Sequence, residues 1–180
     1  MVNDKKRAAL LGFAFLILLL LSSVENTLFF NILSVTFQNS LLAVTMLFIH
    51  NVLVISLILL GMTFYVNLVM LDFFKREKYG NIVLEHPRTF AIVFTIMVIF
   101  LSILRGSSLL GGINIEALPS ILLISTPIGI VEGYGIYLAI MKTLSRKISI
   151  KNLAYIYGIF LIAAIMEVGF INLLIWIWKA

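Results

Sequence analysis

Five apolar stretches divide this chain, each bounded by polar or charged residues and each long enough to form a helix. The first covers 8–24 and follows the cationic run Lys5, Lys6, Arg7. It exceeds the core of a typical secretory leader. No small-x-small cleavage pattern follows it, because Glu25, Asn26 and Thr27 lead directly into Leu28, Phe29 and Phe30, so it reads as an uncleaved helix. Residues 31–40 mix Asn, Gln and Ser with apolar side chains and carry no charge, the pattern of a segment at a membrane interface. The second stretch, 41–71, is longer than the 20 or so residues one crossing needs, and His50 and Asn51 interrupt it. Two layouts fit: one long tilted helix from Leu41, or an interfacial or re-entrant segment over 31–50 followed by a crossing at 51–71. The second is preferred, because polar side chains favour helix ends and buried faces. A third crossing is predicted over 89–110, with Pro87 placed where the first helical turn tolerates it. A fourth covers 117–141. The fifth, 153–178, ends in Trp176, Trp178 and Lys179, amphipathic and snorkelling side chains suited to a membrane–water boundary.

The pattern therefore predicts an all-α polytopic bundle, a single transmembrane domain over 1–180 with five transmembrane helices. Composition narrows this further. Of the 180 residues 62% are hydrophobic and 12% charged, and mean hydropathy is +1.16, against about 45–50% apolar residues in soluble domains. Five crossings with short connections leave no room for an ATPase module, a receptor ectodomain or a nucleotide-binding fold. With no cysteine there is no disulfide, thiolate metal site, iron–sulfur cluster or cysteine nucleophile.

The net charge of +5 points to topology and not to nucleic acid. Lys5, Lys6 and Arg7 precede the first crossing. Lys75, Arg76, Lys78 and Arg88 lie between the second and third, and Lys142, Arg146, Lys147 and Lys151 between the fourth and fifth. With five crossings these eleven of the 13 Lys and Arg residues fall on one side, leaving Arg105 and Lys179 towards the other. The excess marks that side as cytoplasmic and predicts a cytoplasmic N-terminus and an external C-terminus in a multi-pass plasma-membrane protein.

Candidate chemistry is confined to the apolar stretches. Asp4, Glu25, Asp72, Glu77, Glu85 and Glu116 are expected in loops or at helix ends. Glu132 and Glu167 are expected near the middle of the fourth and fifth crossings, where an acidic side chain costs roughly 2.5–3.5 kcal/mol on insertion scales. Their depths differ by less than a turn and a half, so on adjacent helices they could share a proton, bind a cation or each take a polar partner. Arg105 lies within reach of Glu167 in depth, with Glu116 as the competing partner. His50 and Asn51 complete the intramembrane polar or ion/proton site, and Asn67, Tyr134, Tyr137 and Asn172 are further polar groups. Packing glue between helices and an ion or proton relay are the two readings of this set. Between Pro127 and Gly135, a proline and Gly129, Gly133 and Gly135 surround Glu132. Such a run predicts a helix break with close backbone packing, of the kind that lines sites in transporters.

No catalytic constellation is visible: HExxH, GxSxG and GxxxxGK motifs are absent, and His50 and His86 are expected on different levels, so no metal or cofactor is expected. Gly111 and Gly112 read as a turn.

Three segments resemble the stage II sporulation protein M family of small multi-crossing membrane proteins. Asn51 opens a crossing, with Gly61 ten residues on and Gly80 after the loop. Pro127, Gly129 and Glu132 match the family's Pro-His-Gly-x-x-Glu element, with Ile128 in place of its histidine. Ala163, Ala164 and Glu167 match its Ala-Ala-x-x-Glu near the end of the last helix. The resemblance implies a non-enzymatic scaffold or subunit of a membrane complex. Sporulation members hold cell-wall hydrolases at a septum, and in an archaeal-type member, without murein, the implied role reduces to anchoring or complex assembly. The expected partners are the lipid bilayer and other membrane or membrane-associated proteins, including a second copy of the chain, and not nucleic acid. The alternative is a small secondary transporter or transporter subunit with a proton- or ion-linked site at Glu132 and Glu167.

Overall fold

A computed structural model describes residues 2–36, 39–71, 82–109 and 118–179. Helices α1 (Val2–Thr36), α2 (Ser40–Met70), α3 (Ile82–Glu85), α4 (Pro87–Leu109), α5 (Leu118–Leu144) and α6 (Ile150–Lys179) make up these residues, with no strand among them. Over Lys6–Phe29, Ser40–Met70 and Ile150–Leu173, three helices are long and apolar enough to cross a membrane; Pro87–Leu101 of α4 is a shorter apolar helix. The chain thus has the helices a membrane protein requires.

The helix ends follow from local chemistry. Asn39 caps α2, its side-chain oxygen accepting from the N–H groups of Leu41 and Leu42 at 3.0 and 3.2 Å. At the end of α5, Arg146 N–H donates to the Thr143 carbonyl at 3.0 Å and Lys147 N–H to the Lys142 carbonyl at 2.9 Å, with Arg146 at φ 54°. This is the double hydrogen bond that closes a helix through a left-handed residue. Ser149 then caps α6 by accepting from Asn152 N–H at 3.2 Å. The turn over 145–149 therefore folds α6 back against α5.

Two of the expected boundaries differ. A single uninterrupted helix covers Ser40–Met70, passing through His50 and Asn51 where a break after an interfacial or re-entrant segment over 31–50 was expected. Likewise α1 continues through Glu25, Asn26 and Thr27 to Thr36, so Glu25 lies inside a helix and not in a loop. Both departures place polar groups where other helices reach them: Glu25 of α1 meets His50 of α2, and Asn51 meets Glu132 of α5. The helix also continues through Pro127 without interruption, in place of the expected break. One proline removes a single hydrogen bond, which a packed or apolar surrounding can absorb.

Packing rests on small residues. Antiparallel α1 and α2 interlock reciprocally: a Cβ on Gly12 would stand 3.1 Å from the Phe64 ring, and one on Gly61 would stand 3.0 Å from the Phe15 ring. Helix α2 also packs on α5 and α6, making it the hub, while α4 packs on α5. Gly133 turns to α4, where an added Cβ would fall 2.7 Å from Ile99 Cδ1. Gly135 turns to α6, where it would fall 2.7 Å from the Phe160 ring. Two residues apart on a helix is about 200° of rotation, so α4 and α6 flank α5 on opposite sides. Ala139, Ala163 and Ala164 are fully buried in the same region. The principal core joins Ile55 and Leu59 of α2, Ala91 of α4, Ile136 and Ile140 of α5, and Ile156 and Phe160 of α6. Outward faces are apolar too: Leu10, Phe13 and Leu20 of α1 and Ile92, Val93, Ile96 and Phe100 of α4 are exposed, a surface suited to lipid.

Gly129, expected to pack with Gly133, has open space where its Cβ would be. Gly129→Val should therefore leave thermal stability in detergent nearly unchanged, whereas Gly135→Val should cost about 1–3 kcal/mol through overpacking against buried Phe160. Melting curves followed by tryptophan fluorescence or by loss of the monodisperse elution peak distinguish the two. Equal losses would refute this assignment of the packing faces.

Candidate functional site

Neighbouring residues on a helix point about 100° apart, and the polar pair in α2 uses that divergence. His50 faces α1: its Nδ1 shares a 3.0 Å hydrogen bond with Glu25 Oε2, and its ring stacks on Phe29 with centroids 4.9 Å apart and planes 14° from parallel. Asn51 faces α5, where its amide donates to Glu132 Oε1 at 3.1 Å. The first pair is well enclosed, with side chains 16% exposed for Glu25 and 19% for His50. The second oxygen of Glu25 is buried with no hydrogen-bond partner among the described residues.

Glu167 of α6 is close enough to Glu132 for their charges to interact. The α5–α6 register explains the distance. Gly135 against Phe160 and Ile159 sets Glu132 level with about Ala163, so Glu167 lies one turn further on, about 6 Å along the axis. Above and below this layer, two more polar links tie α2 to α6. Asn172 donates to Ser40 Oγ at 2.9 Å, and the hydroxyls of Ser56 and Tyr157 share a hydrogen bond at 2.8 Å. Helix α2 thereby carries polar contacts to α1, α5 and α6 within a few turns.

Of the residues expected to form the site, the structure brings Asn51, Glu132 and Glu167 into one cluster and sets His50 on the other side of α2 with Glu25. Arg105 belongs to α4, on the flank of α5 opposite α6. Its side chain lies outside the described residues, as does Glu116, so the expected pairing of Arg105 with Glu167 or Glu116 falls there too. Pro127 and Gly129 are at the surface side of α5, Gly133 and Gly135 at its packed faces. Asn67 turns back to its own helix, donating to the Thr63 carbonyl at 2.8 Å, and Tyr137 donates to Met141 Sδ at 3.2 Å.

Glu25 is the residue that sequence reasoning missed. The signal was present, because Glu25 and His50 lie about equally far on either side of Gln38, the spacing that sets two residues opposite each other when consecutive helices pack antiparallel. None of three cavities found among the described residues is lined by Glu25, His50, Asn51, Glu132 or Glu167. No three potential metal ligands cluster among the described residues. Compared with protein-family models, curated proteins and solved structures, the chain matches none.

What this geometry does chemically is supply polar side chains with hydrogen-bond partners on neighbouring helices. A neutral amide offered to a carboxyl oxygen satisfies Glu132 whether or not the acid is ionised. Removing one partner strands the other, whereas replacing both with apolar groups is nearly neutral. Asn51→Leu and Glu132→Leu should therefore each destabilise the bundle, and the double variant should recover part of the loss. The coupling expected from the double-mutant cycle is about 0.5–2 kcal/mol, as for other hydrogen bonds between helices in apolar surroundings. Unfolding in mixed micelles measures it, and strictly additive losses would show that the bond is not formed.

Proposed function

We propose that this chain is a five-crossing plasma-membrane protein with a cytoplasmic N-terminus and an external C-terminus, acting as a non-enzymatic scaffold or subunit of a membrane complex. The observation that carries the reading is the pairing of polar side chains between helices, Glu25 with His50 and Asn51 with Glu132. Groups paired in this way act as clips that hold helices in register.

Alternating helix direction supports the crossing number, since α1–α2, α2–α6, α4–α5 and α5–α6 pair antiparallel and α4 and α5 have 23 and 27 residues, enough to span. The same alternation gathers Arg7, Arg88, Lys142, Arg146 and Lys147 at one end of the bundle, in keeping with a cytoplasmic face there. The likeness to the sporulation protein M family, through Pro127, Gly129, Glu132 and the Ala163–Ala164–Glu167 set, adds the role of assembling partners. In that role the layer keeps the bundle rigid, and the apolar faces of α1 and α4 are available to lipid or to neighbouring membrane proteins.

A second reading has one specific observation in its favour. Glu132 and Glu167 lie within electrostatic range of each other, and two adjacent carboxyl groups can hold a shared proton or a cation. In that case the protein is a small transporter or transporter subunit.

The cysteine-free sequence makes topology directly testable. Single cysteines from Asn3→Cys and Lys147→Cys should resist a membrane-impermeant maleimide in intact cells, while Ala180→Cys should react. Function separates on reconstitution. Liposomes bearing the purified protein should show the proton leak of empty liposomes, and protein solubilised gently from its own cells should carry a partner in fixed ratio. A proton flux abolished by Glu132→Gln or Glu167→Gln would overturn the scaffold in favour of transport.

A further inference from the structure

At the end of the bundle where α1 begins and α2 and α5 finish, a cavity of about 460 Å³ opens. Two arginines from distant parts of the sequence meet at it: Arg7 from α1 and Arg146 from the turn between α5 and α6. Its wall is apolar where Val66 and Met70 of α2 face Ile148, and no acidic residue is among its described lining. Thr63 and Thr143 also border it, but their hydroxyls donate to the carbonyls of Leu59 and Ala139, each at 2.7 Å. Among the described residues, the donors left to a ligand are the two guanidinium groups and the second amide hydrogen of Asn67, whose first is spent on its own helix. Planar, permanently charged forks of this kind match phosphate oxygens.

Arg146 adds an independent observation. It sits at φ 54°, in the helix-closing position where glycine is the unstrained choice. An arginine there carries a backbone penalty that glycine would avoid, and its side chain borders the cavity. Depth selects among phosphate-bearing ligands. From Thr63 to Leu71 the wall runs about 12 Å along α2, further than the headgroup layer of one leaflet is thick. A cationic rim above an apolar wall at this depth fits a molecule with an anionic head and a hydrocarbon body.

We infer that this cavity binds the headgroup phosphate of an anionic phospholipid, with the glycerol and first acyl methylenes against Val66, Met70 and Ile148. The assignment to the inner leaflet rests on the orientation proposed above; the binding chemistry does not. Basic pockets between membrane helices hold anionic headgroups by this combination of charge and enclosure.

Native mass spectrometry of the detergent-solubilised protein, titrated with phosphatidylglycerol or phosphatidylcholine, tests it. Phosphatidylglycerol adducts should exceed phosphatidylcholine adducts by about tenfold, a preference that two cations near a headgroup can supply. Arg7→Gln combined with Arg146→Gly should abolish the preference. The glycine relieves the positive φ, so the variant should melt no lower than wild type and loss of lipid cannot be ascribed to unfolding. Arg88→Gln combined with Lys151→Gln removes equal charge from the same end outside the cavity and should keep the preference. Lipid retained by the arginine variant, or lost equally in the charge-matched control, overturns the assignment. Displacement of the lipid by millimolar inorganic phosphate would assign the cavity to a soluble phosphate compound instead. Maleimide labelling at Lys147→Cys decides the leaflet separately, so a wrong orientation and an absent lipid site give different results.

Discussion

Adjacent polar residues in the middle of a long apolar helix present a problem that one neighbouring helix cannot solve. His50 and Asn51 diverge by about 100° around α2, so satisfying both requires helices on two sides. Helix α1 supplies Glu25 to the first and α5 supplies Glu132 to the second, at 3.0 and 3.1 Å. Because apolar side chains gain little by moving from lipid to a helix interface, such bonds and close backbone packing are what specify neighbours in a bilayer. The pair thus fixes α2 as the hub. The links from Ser40 to Asn172 and from Ser56 to Tyr157 then set the level of α6 against it.

Small residues complete what the hydrogen bonds begin. Gly12 and Gly61 each receive a phenylalanine from the other helix, so α1 and α2 are keyed at two places along their length. In α5 the two glycines after Glu132 face opposite ways and admit α4 on one side and α6 on the other. This placement brings Glu132 and Glu167 together, since an α6 held at Gly135 has its carboxylate one turn from the Asn51–Glu132 bond. Packing and electrostatics are coupled here: moving α6 away would relieve the meeting of the two carboxyl groups but would empty the contact between Phe160 and Gly135.

Helix positions were legible in the sequence because the distance along a helix axis maps directly onto residue number. The apolar runs 89–110, 117–141 and 153–178 correspond closely to α4, α5 and α6, and the depths of Glu132 and Glu167 agree to about a turn with the register of Gly135 against Phe160. Polar residues within apolar runs misled the boundaries. Glu25 and His50 look like helix ends when each helix is considered alone, and each loses that appearance once the other is beside it. Azimuth was the other missing coordinate. Gly129 and Gly133 share a spacing that often marks a packing face, yet only Gly133 meets a neighbour, because which side of α5 receives α4 depends on the whole bundle and not on the local motif.

The two ends of the polar inventory differ in what they leave unspent. Inside the bundle, carboxylate, imidazole and amide groups are used on one another, and Glu167 is the acidic group added to a pair that is already bonded. At the basic end the balance is reversed: Arg7 and Arg146 converge on a cavity with no acidic residue among its described lining. Interior hydrogen bonds such as Glu25 with His50 and Asn51 with Glu132 hold helices together, while the cations that border the described cavities lie at the basic end. That distribution fits the scaffold proposed above. It would suit a transporter only if water reached Glu132 and Glu167, the two groups whose proximity gives that reading its physical basis.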